Sequence, residues 1–132
     1  MRELLPSPFQ VGKRRLVQNK PENLQKGAHY EELALQLLLQ QGLTLVARNY
    51  HCKWGELDLL MDDQGVLVVV EVRYRKNSYY GSALESVTVT KQSKIVAAAK
   101  HYIATHKINR AIRFDVIATT GDSSPEWVKN AF

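Results

Sequence analysis

Apolar and polar positions divide the first half of the chain into one helical segment and three extended ones. Apolar residues recur at helical spacing from Asn23, the expected N-cap, to Gly42, a residue type that commonly ends helices. Three predicted strands follow, at residues 43–50, 54–61 and 66–75, with a connector at 51–53 and a turn at 62–65. The third strand opens with a continuous apolar run, so we expect it to be buried on both faces.

The second half of the chain predicts a further helix and two more strands. The helix is expected over residues 91–106, with Thr90 as its cap. Residues 111–119 alternate between apolar and polar positions and predict a fourth strand, and residues 126–132 predict a short edge strand. The order αβββαβ(β) is typical of an α/β domain in which helices pack against a mixed central sheet in three layers.

Residues 1–22 differ from the rest of the chain. They show no hydrophobic period, contain Pro6 and Pro8, and carry five Lys or Arg against Glu3 and Glu22. We therefore expect a flexible basic arm here, followed by a single domain over residues 23–132. A chain of 132 residues has room for one such domain and one hydrophobic core.

Composition favours a cytoplasmic protein without a membrane partner. The longest apolar run, residues 66–70, is far shorter than the roughly 20 residues of a membrane span, and the first residues do not resemble a secretory signal. Cys52 is the single cysteine, which fits a reducing compartment. The chain has no P-loop, dinucleotide-binding or nucleophile-elbow motif, and its four histidines lack the spacing of a zinc site.

Charge is distributed unevenly along the domain. Residues 31–71 hold seven acidic residues against Arg48 and Lys53, whereas residues 73–113 hold nine Lys or Arg against Glu85 alone. This distribution suggests a carboxylate cluster beside a cationic surface. The alternative is that solvated loops and helix faces simply carry these charges.

Two acidic residues on neighbouring predicted strands are the strongest candidates for chemistry. Alternation places Glu56 and Asp58 on one face of the second strand, with Leu57 and Leu59 on the other. A hairpin loop with an even number of residues, such as two at 63–64, would bring Asp58 and Glu71 to the same face. Two carboxylates about 4 Å apart repel by roughly 4 kcal/mol at an effective dielectric constant near 20, so such a pair needs a cation or a shared proton.

Two kinds of cation could stabilise the pair. Arg73 or Arg75, which share the face of Glu71, would give a structural network of ion pairs. A hard divalent ion such as Mg²⁺ would instead use the carboxylates as ligands, keep several waters and bind phosphate oxygens of a substrate. The strand pattern alone leaves both alternatives open.

The two strands also carry motifs of a known family. GELDLL at residues 55–60 and VVEVRYR at residues 69–75 resemble the GE-(I/L)-D-L-(I/L) and VEVKxR motifs of the YraN-like family of bacterial proteins. Further matches are ARNY at 47–50, YG at 80–81, KQ at 91–92, RFDV at 113–116 and KNAF at 129–132. The resemblance extends from about residue 27 to residue 132. It implies a restriction-endonuclease-like PD-(D/E)xK fold and a relation to Holliday-junction resolvases.

The resemblance also implies roles for individual residues. Asp58 and Glu71 fall on the metal-binding Asp and Glu, and Glu31 falls on the family's helical Glu, with Glu56 as a further candidate ligand. Arg73 occupies the position of the motif lysine. Because arginine does not lose its proton, it can orient and stabilise a phosphate or water but cannot act as a base. Expected contacts to nucleic acid are Arg75, Lys76, Lys91, Gln92 and Lys94.

The resulting hypothesis is an endonuclease that uses Mg²⁺ or Mn²⁺ to hydrolyse phosphodiester bonds of DNA, including branched or structured DNA. Cationic contacts to the phosphate backbone would give salt-dependent affinity without obvious base readout. Two alternatives are a non-catalytic nucleic-acid-binding module on the same fold and a structural or interaction protein with Arg-paired carboxylates. A homodimer would suit an enzyme that cuts branched DNA.

Overall fold

The computed structural model describes residues 2–4 and 22–132, with side chains from Lys26 onward. Within these residues the strands are β1 (Arg2–Leu4), β2 (Thr44–Cys52), β3 (Gly55–Asp63), β4 (Val66–Arg75), β5 (Ile112–Thr120) and β6 (Glu126–Val128). The helices are α1 (Glu22–Gln40), α2 (Val89–Thr105) and a short 3-10 turn at Leu84–Ser86. The predicted α/β class and the order of the main elements are confirmed.

The six strands form one mixed sheet in the order β1-β6-β5-β4-β3-β2. Strands β2, β3 and β4 are consecutive antiparallel neighbours, whereas β4 and β5 are parallel and are connected through α2. On the other side of β5, β6 pairs antiparallel with β5, and β1 pairs antiparallel with β6 at the edge of the sheet. The sheet therefore has antiparallel neighbours on both sides of one central parallel pair.

Each face of the sheet carries one helix and one apolar core. Val68 and Val70 of β4 pack with the α1 side chains, and Leu67 and Val69 pack with the α2 side chains. All four are at most 2% exposed, so β4 is buried on both faces as its apolar run predicts. The predicted face of β5 is also confirmed, because its alternate apolar residues all pack on the α2 side.

The ends of the helices are partly as predicted. Gly42 has φ +96 and terminates α1, with the Leu43 N–H donating to the Leu38 carbonyl at 3.1 Å. The N-cap prediction for Asn23 is wrong, because α1 already begins at Glu22. The cap of α2 is Thr88 rather than Thr90: the Thr88 hydroxyl accepts a hydrogen bond from the Lys91 N–H at 3.2 Å.

Two predictions about the β2–β3 hairpin are wrong. Residues 51–52 belong to β2 and pair with the start of β3, so the connector is shorter than expected. Leu57 and Leu59 do not share a face, because Leu57 packs with α2 and Leu59 with α1. Asn49, with φ +53, lies between the residues of β2 that pair with Leu59 and Leu57, and this left-handed residue interrupts the alternation.

The predicted edge strand at residues 126–132 is also corrected. Only Glu126–Val128 is extended, and it lies between β5 and β1 rather than at the edge. Strand β1 comes from the segment predicted to be a flexible arm, and residues 5–21 lie outside the described residues, so the arm stays a prediction. In the described part of the chain, neither helix is long and apolar enough to cross a membrane.

Candidate metal and phosphate site

The hairpin between β3 and β4 determines which acidic residues meet. Its loop has two residues, Gln64 and Gly65, closed by the pair Asp63 and Val66. The sequence left the parity of this loop open, and the structure shows the even alternative, one residue later than the example at 63–64. The register runs on to Leu59 opposite Val70, and Asp58 and Glu71 are the next residues of the two strands.

Asp58 and Glu71 are in direct contact on these neighbouring strands. Their carboxyl groups share a hydrogen bond, and Asp58 Oδ2 accepts a second one from the Val72 N–H at 2.8 Å. Glu71 is only 4% exposed. The main chain of β4 thus fixes the Asp58 carboxylate through the Val72 N–H, and β4 also carries Glu71. The two neighbouring strands therefore hold the acidic pair together.

Two cationic side chains stand beside this acidic pair. Arg73 Nη1 and Lys91 Nζ each lie 3.7 Å from Glu71 Oε1. At that distance both attract the carboxylate electrostatically, but neither makes a hydrogen bond of normal length to it. Arg73 is instead oriented by Ser86, whose hydroxyl oxygen accepts from Arg73 Nε at 3.0 Å.

Burial governs the protonation of the pair. Desolvation, followed by the charge of Asp58, raises the pKa of Glu71 from 4.5 to about 8, against the opposing effect of Lys91 and Arg73. Desolvation also raises the pKa of Asp58, although the hydrogen bond from Val72 favours its charged form. At neutral pH the two carboxyl groups therefore retain a proton between them, and the neighbouring cations do not remove it.

The acidic pair offers oxygen ligands that suit a hard divalent cation, but it offers few of them. A cation that displaces the shared proton would gain two oxygen ligands already held in contact, which suits Mg²⁺ or Mn²⁺. Among the described residues, however, no group of three or more His, Cys, Asp or Glu side chains forms a metal-binding cluster. Water and substrate oxygens would have to complete the coordination, as is common for Mg²⁺.

The other predicted ligands occupy separate positions. Glu56 is exposed near the start of β3, and its carboxylate lies 3.3 Å from His51 Nδ1. Glu31 is partly buried on α1, next to Tyr30, which stacks on Tyr74 at 4.1 Å between ring centroids. Glu31 therefore lies towards the end of β4 where the acidic pair is found, but it does not complete a three-carboxylate group with it.

The residues predicted to contact nucleic acid differ in their exposure and in their contacts. Lys76 and Lys94 are exposed and Arg75 is partly exposed. Lys91 is engaged with Glu71, and the Gln92 amide donates to the Val87 carbonyl at 3.1 Å, which braces the start of α2. Metal binding by the acids and phosphate binding by these cations stay predictions.

Comparison with known sequences places the chain among bacterial relatives. The model of the family described as "Uncharacterised protein family UPF0102" matches residues 30–119, which contain Asp58, Glu71 and Arg73. The chain belongs to this family. It is 51% identical to a UPF0102 protein of Aeromonas hydrophila over 115 residues, covering 85% of this chain and 88% of the relative. It is also 53% identical to a UPF0102 protein of Saccharophagus degradans over 108 residues, covering 80% of this chain and 91% of the relative.

A second buried carboxylate in this UPF0102 chain escaped the sequence prediction. Asp115 is fully buried in β5, where Arg113 donates two hydrogen bonds to it, each of 2.9 Å. The Trp127 indole and the Asn130 N–H donate to it at 2.9 Å as well. The signal available in the sequence was the Arg-x-Asp spacing on one strand face. Ser86, which orients Arg73, had no such signal because a loop supplies it.

Proposed function

We propose that this UPF0102 protein is a metal-dependent endonuclease that hydrolyses phosphodiester bonds of DNA, built on a restriction-endonuclease-like fold related to that of Holliday-junction resolvases. The observation that carries the proposal is the contact between Asp58 and Glu71 in a site where both pKa values are raised. Buried acids in contact lower the stability of the fold, and such perturbed groups are typical of functional sites. The strand motifs that surround them support the same assignment.

The chain's own residues have distinct tasks in this proposal. Asp58 and Glu71 would hold Mg²⁺ or Mn²⁺, and the bound ion would polarise the scissile phosphate and lower the pKa of the attacking water. The Val72 N–H keeps Asp58 oriented, so that oxygen remains in place when the proton of the pair is lost. Loss of that proton leaves both carboxylates charged and available as ligands.

Arg73 and Lys91 supply positive charge on the substrate side of the pair. Arg73, oriented by Ser86, is a fixed guanidinium that can bind two phosphate oxygens at once and stabilise charge that develops in the transition state. Lys91 at the start of α2 can leave Glu71 for a backbone phosphate. Because no lysine occupies the Arg73 position, activation of the water depends on the ion and not on a side-chain base.

The test is cleavage measured together with metal binding. Supercoiled, linear and branched DNA are incubated with Mg²⁺ or Mn²⁺, and wild type is compared with Asp58→Asn and Glu71→Gln. The matched control is Asp63→Asn at the far end of β3, where the carboxylate pairs with Arg113 at 3.0 Å. Cleavage that requires the ion, is lost in both site variants and persists in the control is the expected result. Cleavage that survives both substitutions refutes the proposal.

A second candidate is a non-catalytic nucleic-acid-binding module, favoured by Arg73 in place of the motif lysine. It predicts salt-sensitive DNA binding with no metal-dependent cleavage. A third is a structural or interaction protein, favoured by the approach of Arg73 and Lys91 to Glu71. It predicts neither saturable Mn²⁺ binding, measured by electron paramagnetic resonance, nor appreciable DNA affinity at about 150 mM salt, where weak phosphate contacts are screened.

A further inference from the structure

Three aromatic side chains are unusually exposed. Tyr79 and Tyr80 are 85% and 90% exposed in the loop after β4, and Trp54 is 52% exposed at the tip of the β2–β3 hairpin. Aromatic side chains normally contribute large buried areas to a core or an interface. The tyrosines bury little of their surface within the chain, and half of Trp54 is exposed, so these rings are available to bind a ligand.

All three aromatic residues lie at the end of the sheet that carries the acidic pair. Trp54 directly precedes β3, which begins at Gly55, and Tyr79 follows β4, which ends at Arg75. Because β3 and β4 are antiparallel neighbours, the start of one and the end of the other meet at the same end of the sheet. Asp58 follows Trp54 by four residues, and Glu71 precedes the last residue of β4 by four, so the acidic pair lies near the same end of the sheet.

Cationic residues connect the acidic pair with both aromatic sites. On one side, Lys91 contacts Glu71, and Lys94, one turn further along α2, packs its backbone against Gly55 beside Trp54. Lys53 Nζ lies 4.9 Å from the centre of the Trp54 ring. On the other side, residues 73–82 contain three cations and no acidic residue. This positive charge favours a polyanionic ligand over a protein surface that carries charges of both signs.

The loop presents its tyrosines from a hydrogen-bonded backbone. The Tyr79 N–H donates to Asn77 Oδ1 at 3.1 Å, and the Gly81 N–H donates to the Ser78 carbonyl at 3.2 Å. At the base of the loop the Gly121 N–H donates to the Arg75 carbonyl at 2.7 Å. A partly ordered loop loses less entropy when its side chains bind a ligand, which favours affinity.

We propose that Tyr79, Tyr80 and Trp54 stack on unpaired bases of DNA and so direct single-stranded segments to the acidic pair. This inference rests on the proposed function, because it assumes that nucleic acid reaches this site. Every base has an aromatic face, so stacking on exposed rings is tolerant of sequence but requires that the base be unpaired. The neighbouring lysines and Arg75 bind the backbone phosphates of the same strand. Flaps and gaps are DNA structures that combine such segments with duplex arms.

The experiment measures binding separately from cleavage. Fluorescence anisotropy is recorded in EDTA with three labelled ligands. They are a 20-nucleotide oligothymidine, an abasic oligonucleotide of equal length and a 20-base-pair duplex. The variants are Tyr79→Ala/Tyr80→Ala, the ring-preserving Tyr79→Phe/Tyr80→Phe and Trp54→Ala. Leu45→Ala is the matched control, because Leu45 is an exposed apolar residue at the other end of the sheet, opposite Met61. All are surface changes with little expected effect on stability.

Stacking predicts a specific pattern of affinities. The double alanine variant should bind oligothymidine about 10- to 100-fold more weakly, since stacking contributes about 1–3 kcal/mol per base. Its affinity for the abasic strand and the duplex should change less than about twofold. The phenylalanine variant and Leu45→Ala should bind like wild type.

Three outcomes would overturn the inference. These are an equal loss for all three ligands in the double alanine variant, an unchanged affinity for oligothymidine, and tighter binding of an oligouridine RNA than of the DNA. Because no divalent ion is present, the result does not depend on catalysis. Base-dependent binding without cleavage would support the stacking inference and refute the proposed nuclease function. Cleavage without base-dependent binding would support the nuclease function and refute the stacking inference.

Discussion

The protonation of Glu71 provides the sharpest test of the candidate site. Its pKa is raised from 4.5 to about 8, so between these values the folded protein holds a proton that the unfolded chain has lost. The unfolded state then binds fewer protons, and the free energy of unfolding falls as pH rises by about 1.4 kcal/mol per unit. This stability is fully present below pH 4.5 and is lost as pH rises to about 8.

The perturbation is Glu71→Gln, whose amide retains a donor towards Asp58 without the ability to ionise. Near pH 5 the variant should match wild type within about 1 kcal/mol, and near pH 8 it should be more stable by several kcal/mol. Glu56→Gln is the matched control, since Glu56 is an exposed acid of the neighbouring strand β3. Its stability curve should run parallel to that of wild type.

The assay is urea unfolding in a chelating buffer from pH 5 to pH 8, followed by the fluorescence of buried Trp127. The reasoning is refuted if the difference between Glu71→Gln and wild type stays constant over this range. A Glu71 that is charged and fully paired with Arg73 and Lys91 would give the opposite sign. The variant would then be about 3–5 kcal/mol less stable at pH 7, because a buried ion pair would have lost one partner.

Other changes test the metal site and the packing. At pH 8, Mn²⁺ at about 100 times its dissociation constant should stabilise wild type by about 2.7 kcal/mol, and Asp58→Asn should abolish this in thermal unfolding. In urea unfolding, Thr88→Ala should cost about 1 kcal/mol because the α2 cap is lost, while Thr90→Ala should cost less than about 0.5 kcal/mol. Leu38→Ala should cost about 2–5 kcal/mol, since Leu38 is fully buried under α1. A smaller loss for Leu38→Ala would contradict the packing, and a smaller loss for Thr88→Ala would contradict the assignment of the cap.

Elements with a strong local signal could be predicted from the sequence. The apolar run of β4 and the glycine at position 42 determine burial and a helix end through short-range preferences, and both predictions are confirmed. The parity of the hairpin loop was left open by the sequence, since an even loop brings Asp58 and Glu71 to one face and an odd loop separates them. Its position was shifted by one residue, since Asp63 extends the strand in place of forming the turn.

Features that depend on distant residues could not be predicted in the same way. Asn49 interrupts the alternation of β2 and so separates the faces of Leu57 and Leu59, although the sequence pattern of β3 is regular. The choice of Thr88 over Thr90 depends on where α2 docks on the sheet, since either residue type can cap a helix. The place of β6 inside the sheet depends on pairing with β1.

The two buried carboxylates of this sheet, Glu71 and Asp115, differ in how completely the fold compensates their charge. Asp115 accepts hydrogen bonds from an arginine, an indole and a backbone N–H, so its charge is compensated entirely by the fold. Glu71 is nearly as buried, but its closest acidic neighbour opposes its charge and its two cations stop at 3.7 Å. The sequence has the means to compensate a buried acid fully, as it does with Arg113. The proton shared by Glu71 and Asp58 is the one that the proposed metal ion would replace.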